Sequence, residues 1–128
     1  MTKDPANPLD DLSTKILKSD RSILSLTIND DRGEIVGRAF SSTYEKKYLK
    51  LAKEIRNRAG LFSALIFGIA SEPEKIFGQT KAVVRIYADV KLILIPFPSR
   101  KMMATLLTKK TADIDQLVKK IGPLLKET

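Results

Sequence analysis

Side chains that commonly do chemistry are scarce in this sequence. Its 128 residues include no cysteine and no histidine. Thiolate nucleophiles, disulfides and cysteine zinc sites are therefore out, as is the commonest general base. What remains is carboxylates in close pairs: Asp10/Asp11, Asp30/Asp31 and Asp113/Asp115. Paired carboxylates can share acid–base work, or hold a divalent cation when further oxygen ligands follow at fixed spacing. Asp30 and Asp31 lack those later ligands and the closing glutamate of a calcium loop. All three pairs fall at a helix start or a turn, where capping accounts for them. No glycine-rich phosphate loop of either common type occurs, and serine without histidine or a strained elbow is a poor nucleophile. The expectation is a chain without catalytic residues, cofactor or metal.

Charge offers a second kind of site. Lys and Arg number 23 against 15 Asp and Glu, a formal net of +8. The excess is uneven: residues 1–42 hold 6 cations and 7 anions, residues 43–128 hold 17 and 8. Lys46, Lys47, Lys50, Lys53, Arg56 and Arg58 form a basic row on one expected helix. Such a row can meet phosphates with a steep salt dependence, or it can be a solvated face. Base-stacking aromatics are few, with three Tyr, five Phe and no Trp. Tyr48 and Phe62 fit an apolar stripe better than a stacking platform. Nucleic-acid binding through this row is the alternative function, behind protein interaction.

The elements that would position any site follow from periodicity. From 81 to 87, Ala82, Val84 and Ile86 take one face, and Lys81, Arg85 and Tyr87 the other, the period of a strand. Ala88 and Asp89 suit a tight turn. Residues 90–97 are apolar on both faces, Leu92 and Leu94 against Ile93 and Ile95, and so need cover on both. Pairing is expected to fail at Pro96 and Pro98, the chain turning through Ser99, Arg100 and Lys101. Residues 102–108 read as a further strand, with a helix over 101–107 as the alternative.

Earlier in the chain, Asn7 is placed to cap a helix with Pro8 in its first position, and Leu9, Leu12, Ile16 and Leu17 make its stripe. Residues 22–29 and 34–41 alternate around the turn cluster at 30–33 and predict a hairpin, with Val36 and Phe40 sharing a face. Ser42 with Glu45 resembles a capping box, and Tyr48, Leu51, Ala52, Ile55 and Ala59 form one stripe. Residues 61–70 are apolar nearly all round, as a buried helix or a strand. At the end of the chain, Asp113 and Gln116 suggest another capping box. Ile114, Leu117, Val118 and Ile121 give a clean helical stripe, which Gly122 and Pro123 should stop or bend.

The order is helix, two strands, helical region, three strands, helix. One five-stranded antiparallel sheet with helices on both faces satisfies every stripe, an α+β sandwich. The length suits one domain, expected over residues 8–122, with a loose segment at 1–7 and a tail at 123–128. No apolar run reaches the ~18–20 residues of a membrane span, and the start lacks a signal-peptide core, so a cytoplasmic protein is expected.

This pattern resembles the roadblock (dynein light chain) group of profilin-like folds over about residues 8–121. The resemblance lies in LSTKIL, in SILSLTINDDRGEIVGRAF, and in FGQTKAVVRIYADVKLILIPFP followed by ATLLTKKTADIDQLVKKI. The last two segments are also similar to a set of small archaeal proteins of uncharacterised function, through Gly78, Lys81, Ile95, Pro96 and Phe97. The resemblance implies a non-enzymatic, homodimeric scaffold or regulator, with a small GTPase or signalling protein as partner. It places the interface on the middle helix and third strand. The matching residues are Tyr48, Leu51 and Ile55, then Phe62, Leu65 and Ile66, and Ala82, Val84 and Ile86. The middle region here is longer and more apolar than the one moderate helix usual in roadblock domains.

Overall fold

The computed structural model describes residues 7–41, 75–97 and 101–126. Helix α1 spans Asp10–Ser19. Strands β1 (Ile23–Asp30) and β2 (Ile35–Phe40) follow, then β3 (Val83–Ile86), β4 (Val90–Phe97) and β5 (Met102–Lys109), and helix α2 spans Ile114–Lys126. The five strands form one antiparallel sheet in the order β2-β1-β5-β4-β3. The expected basic row Lys46, Lys47, Lys50, Lys53, Arg56 and Arg58 lies outside the described residues. So do Tyr48, Leu51, Ile55, Phe62, Leu65 and Ile66, and residues 61–70 as a whole.

Alternation sorts the sheet into two apolar faces. On the first, Leu26 and Ile28 of β1, Ala104 and Leu106 of β5, and Ile93 and Ile95 of β4 meet Leu12 and Ile16 of α1 and Leu117, Ile121 and Leu125 of α2. Both described helices therefore cover the same face. On the second, Leu92, Leu94, Met103 and Leu107 are buried together, with Phe40, Val83 and Val90 packed against them. The sequence reading expects helices on both faces, and the middle helical region lies outside the described residues. Leu94 is 1% exposed and Ile93 0%, so β4 is buried on both sides, as its unbroken apolar run requires. Each such side chain contributes about 1.5–3 kcal/mol.

Residues 102–109 are strand β5 and not helix, paired to β1 on one side and β4 on the other. Two-sided ladder pairing and burial outweigh the helix propensity of Lys, Met, Ala and Leu. Four local expectations are corrected. First, pairing does not fail at Pro96: the ladder with β5 runs on through Phe97 against Met102. The register of β3 with β4 ends at Leu94, so Pro96 has a strand on one side only, where a missing N–H is tolerated. Second, Val36 does not share Phe40's face. Ile28 pairs Gly37 but Asn29 pairs Ile35, which leaves Val36 as the extra residue of a bulge. Val36 packs with the helix-side core and Phe40 with the opposite one.

Third, Gly122 and Pro123 do not stop α2, which continues to Lys126 and buries Leu125 at 4% exposure. Proline inside a helix costs about 3 kcal/mol, which burial of the last turn offsets. Pro123 is itself exposed, so water can meet the carbonyl one turn back that lacks a donor. Fourth, Asn7 does not cap α1. Leu9 occupies the cap position without a side-chain bond, and Asp10 reaches back to accept the Asn7 N–H at 2.8 Å.

Three other turn and cap readings hold, while the Ser42–Glu45 capping box and the turn at Ser99 and Arg100 lie outside the described residues. Asp30 Oδ1 accepts the N–H groups of Arg32 and Glu34, both at 2.9 Å, and Gly33 sits at φ 85°, the left-handed region glycine enters freely. Asp113 Oδ1 accepts the Gln116 N–H at 3.2 Å. Tyr87 N–H donates to Val90 O at 2.9 Å across the turn at Ala88 and Asp89. Far apart in sequence, Lys120 Nζ and Asp20 Oδ2 meet at 2.9 Å and tie α2 to the α1–β1 corner.

Candidate functional site

A sheet has two edges, and an edge is where another chain can add. Here the edges are β2 and β3. Along β2 the chain's own N-terminal helix occupies the outer side. Leu9 N–H donates to Val36 O at 2.8 Å, and Arg38 N–H donates to Asp10 Oδ1 at 3.0 Å. The approach is close because Gly37 has no side chain: a Cβ there would lie 2.6 Å from Ser13 Oγ and 2.7 Å from Leu9 O. Ser13 is itself fully buried, its hydroxyl donating to Leu9 O at 2.8 Å.

No described strand lies beyond β3. Its pairing with β4 is regular, Val83 to Leu94 through Ile86 to Lys91. The expected interface residues divide. Ala82 and Val84 pack against the helix-side core, while Ile86 is 73% exposed. Tyr87 follows at 47%, with the Arg85 guanidinium 5.9 Å from its ring centre. Just upstream, Ile76 and Phe77 are 78% and 84% exposed. Sequence reading assigned Ile76 and Phe77 no functional role. The available signal was two large apolar residues in a segment with no partner stripe.

The groups available for chemistry are few. Among the described residues no cluster of acidic side chains is arranged to hold a metal ion. The paired carboxylates serve turns and caps: Asp10 holds Asn7 and Arg38, Asp30 closes its turn, and Asp113 caps α2. Among the described residues Asp20 alone is clearly perturbed. Burial pushes its pKa up, but hydrogen bonds from the Ser22 hydroxyl and N–H and from Lys120 outweigh this and lower it to about 2. No described helix is long and apolar enough to cross a membrane. The arrangement can offer a strand edge bordered by apolar side chains.

No protein-family model matches the sequence, and no curated protein matches it. Solved structures do match in shape. A Roadblock/LC7 domain from Streptomyces avermitilis superposes with a TM-score of 0.69 at 16% identity, covering 93% of this chain and 92% of that one. MglB of Myxococcus xanthus gives 0.67 at 12%, over 99% and 91%. An MglB structure with a tetrameric arrangement gives 0.63 at 12%, over 91% and 87%. Identities this low speak to architecture alone, and the architecture of this chain is the Roadblock/LC7 fold.

Proposed function

We propose that this chain is a protein-interaction domain that forms a homodimer through the β3 edge. In that dimer it scaffolds or regulates a small GTPase or signalling partner, without catalytic residues of its own. The observation that carries the reading is the contrast at the sheet margins. β3 is the last described strand on its side and ends at exposed Ile86, with exposed Ile76 and Phe77 upstream of it in the chain, whereas β2 is occupied by α1. Large exposed apolar side chains beside a terminal strand favour association. The tetrameric arrangement of the MglB neighbour fits an assembling fold. The partner class follows from the roadblock resemblance of the sequence.

Size-exclusion chromatography with light scattering tests the assembly. The chain mass is 14.3 kDa, and the proposal expects twice that at micromolar concentration. A monodisperse monomer there overturns it. The partner class is tested by titrating the dimer against small GTPases in their GTP- and GDP-bound states. Binding that distinguishes the two states supports the regulatory reading, and no binding to either removes it.

A further inference from the structure

One end of the sheet gathers cations from three separate segments. Lys109 N–H donates to Ser22 O at 2.8 Å, which sets the start of β1 beside the end of β5. Lys120 meets Asp20 at the same corner and brings α2 there. Lys18, Arg21, Lys109, Lys110 and Lys119 are all exposed. Among the described residues none of these five has a carboxylate partner. Val90 pairs Lys109, so the β3–β4 turn reaches the same end and presents half-exposed Tyr87. Asp89, Asp113 and Asp115 share this end, and Asp113 is engaged in capping α2.

We propose that this end docks on an anionic lipid surface, the five cations meeting headgroup phosphates and Tyr87 lying at the headgroup boundary. The five cations are spread over the end of α1, the start of β1, the end of β5 and α2, and no described helix carries more than one of them to lay in a nucleic-acid groove. Four of the five cations are lysines, compact charges on long stems that track a polar surface without reading its shape. Tyrosine, with an apolar ring and a polar tip, suits the bilayer interface. The five cations lie on or beside α1, β1, β5 and α2 and not on β3, and Tyr87, which directly follows Ile86, is where this surface meets the β3 edge.

The test is co-sedimentation of the full chain with phosphatidylcholine vesicles, with and without phosphatidylserine. Binding is expected only with phosphatidylserine, weakening as salt is raised. The double variant K109E/K110E should lower partitioning about tenfold or more. The double variant K81E/K101E makes the same change in net charge toward the opposite end of the sheet, and should stay within about twofold of the parent by the same locality. Four outcomes overturn the proposal: no binding at low salt, equal binding to both vesicle types, equal losses in the two variants, or tighter binding to a DNA duplex than to phosphatidylserine vesicles.

Discussion

Along β2, the carbonyl of Val36 and the N–H of Arg38 are bonded to Leu9 and Asp10 of the same chain. Along β3, no described strand follows, and Ile86 stands 73% exposed at its end. Both strands are short, at 6 and 4 residues, so length does not separate them. What separates them is a glycine and a helix start. Gly37 lets α1 come within bonding distance, and the bulge at Val36 turns that side chain toward the helix. A sheet that seals one margin with its own backbone directs any strand addition to the other. If the chain dimerises as proposed, β3 is the described margin left for strand addition.

Four changes break or sharpen this contrast, taken by their expected effect on the stability of the single chain. Gly37→Ala drives a methyl group into Ser13 Oγ and the Leu9 backbone, and backbone cannot step aside cheaply. A loss of about 2–3 kcal/mol is expected in urea unfolding. An unchanged midpoint would show that α1 sits less tightly than the geometry says. Asp10→Ala removes the acceptor for the Asn7 and Arg38 N–H groups and should cost about 1–2 kcal/mol. With the β2 edge partly unsealed, hydrogen exchange at the Arg38 amide should also quicken.

Asp20 lies at the α1–β1 corner, away from both margins, and serves as a control. Its pKa is depressed to about 2, so its contribution is complete above the ordinary carboxylate range and disappears as pH falls toward 2. Between about pH 5 and pH 2 it should account for on the order of 1 kcal/mol, the screened surface pair with Lys120 adding little. Asp20→Asn should flatten that part of the stability–pH curve and leave the association state untouched. Ile86→Lys has the smallest effect on the chain itself, within about 0.5 kcal/mol, because the side chain is already in water. Its effect on mass is the decisive one: a lysine at the β3 edge should turn dimer into monomer by light scattering. A dimer that survives it places the interface elsewhere.

Much of the fold was legible in the order of residues. The alternation of Leu92 and Leu94 against Ile93 and Ile95 announced a strand buried on both faces, and the structure places it second from the β3 margin. Likewise the spacing of Leu117 and Ile121 announced α2 and the face it buries. Misreadings fell where a local rule met a longer-range one. Gly122 and Pro123 should stop or bend a helix, yet the helix runs on, and Leu125 has a core to enter two residues beyond Pro123. Val36 should alternate with Phe40, yet a bulge shifts its phase. Ser13, to which the sequence reading gave no role, is fully buried over Gly37. None of these can be seen from neighbours in sequence, because the deciding contact comes from another element.

The candidate site was legible only in part. Periodicity named Ala82, Val84 and Ile86 as one face of a strand, and that is the face they share. It did not show that Ala82 and Val84 spend that face on the chain's own core and leave Ile86 exposed. Sequence by itself determined which residues are apolar together, where the turns fall, and that no cysteine or histidine chemistry is available. Which strand would end the sheet, and which margin would be sealed, was decided only by the tertiary structure. Side-chain periodicity fixes the faces of a strand, whereas its outer hydrogen-bonding side belongs to the backbone, which is nearly the same for every residue.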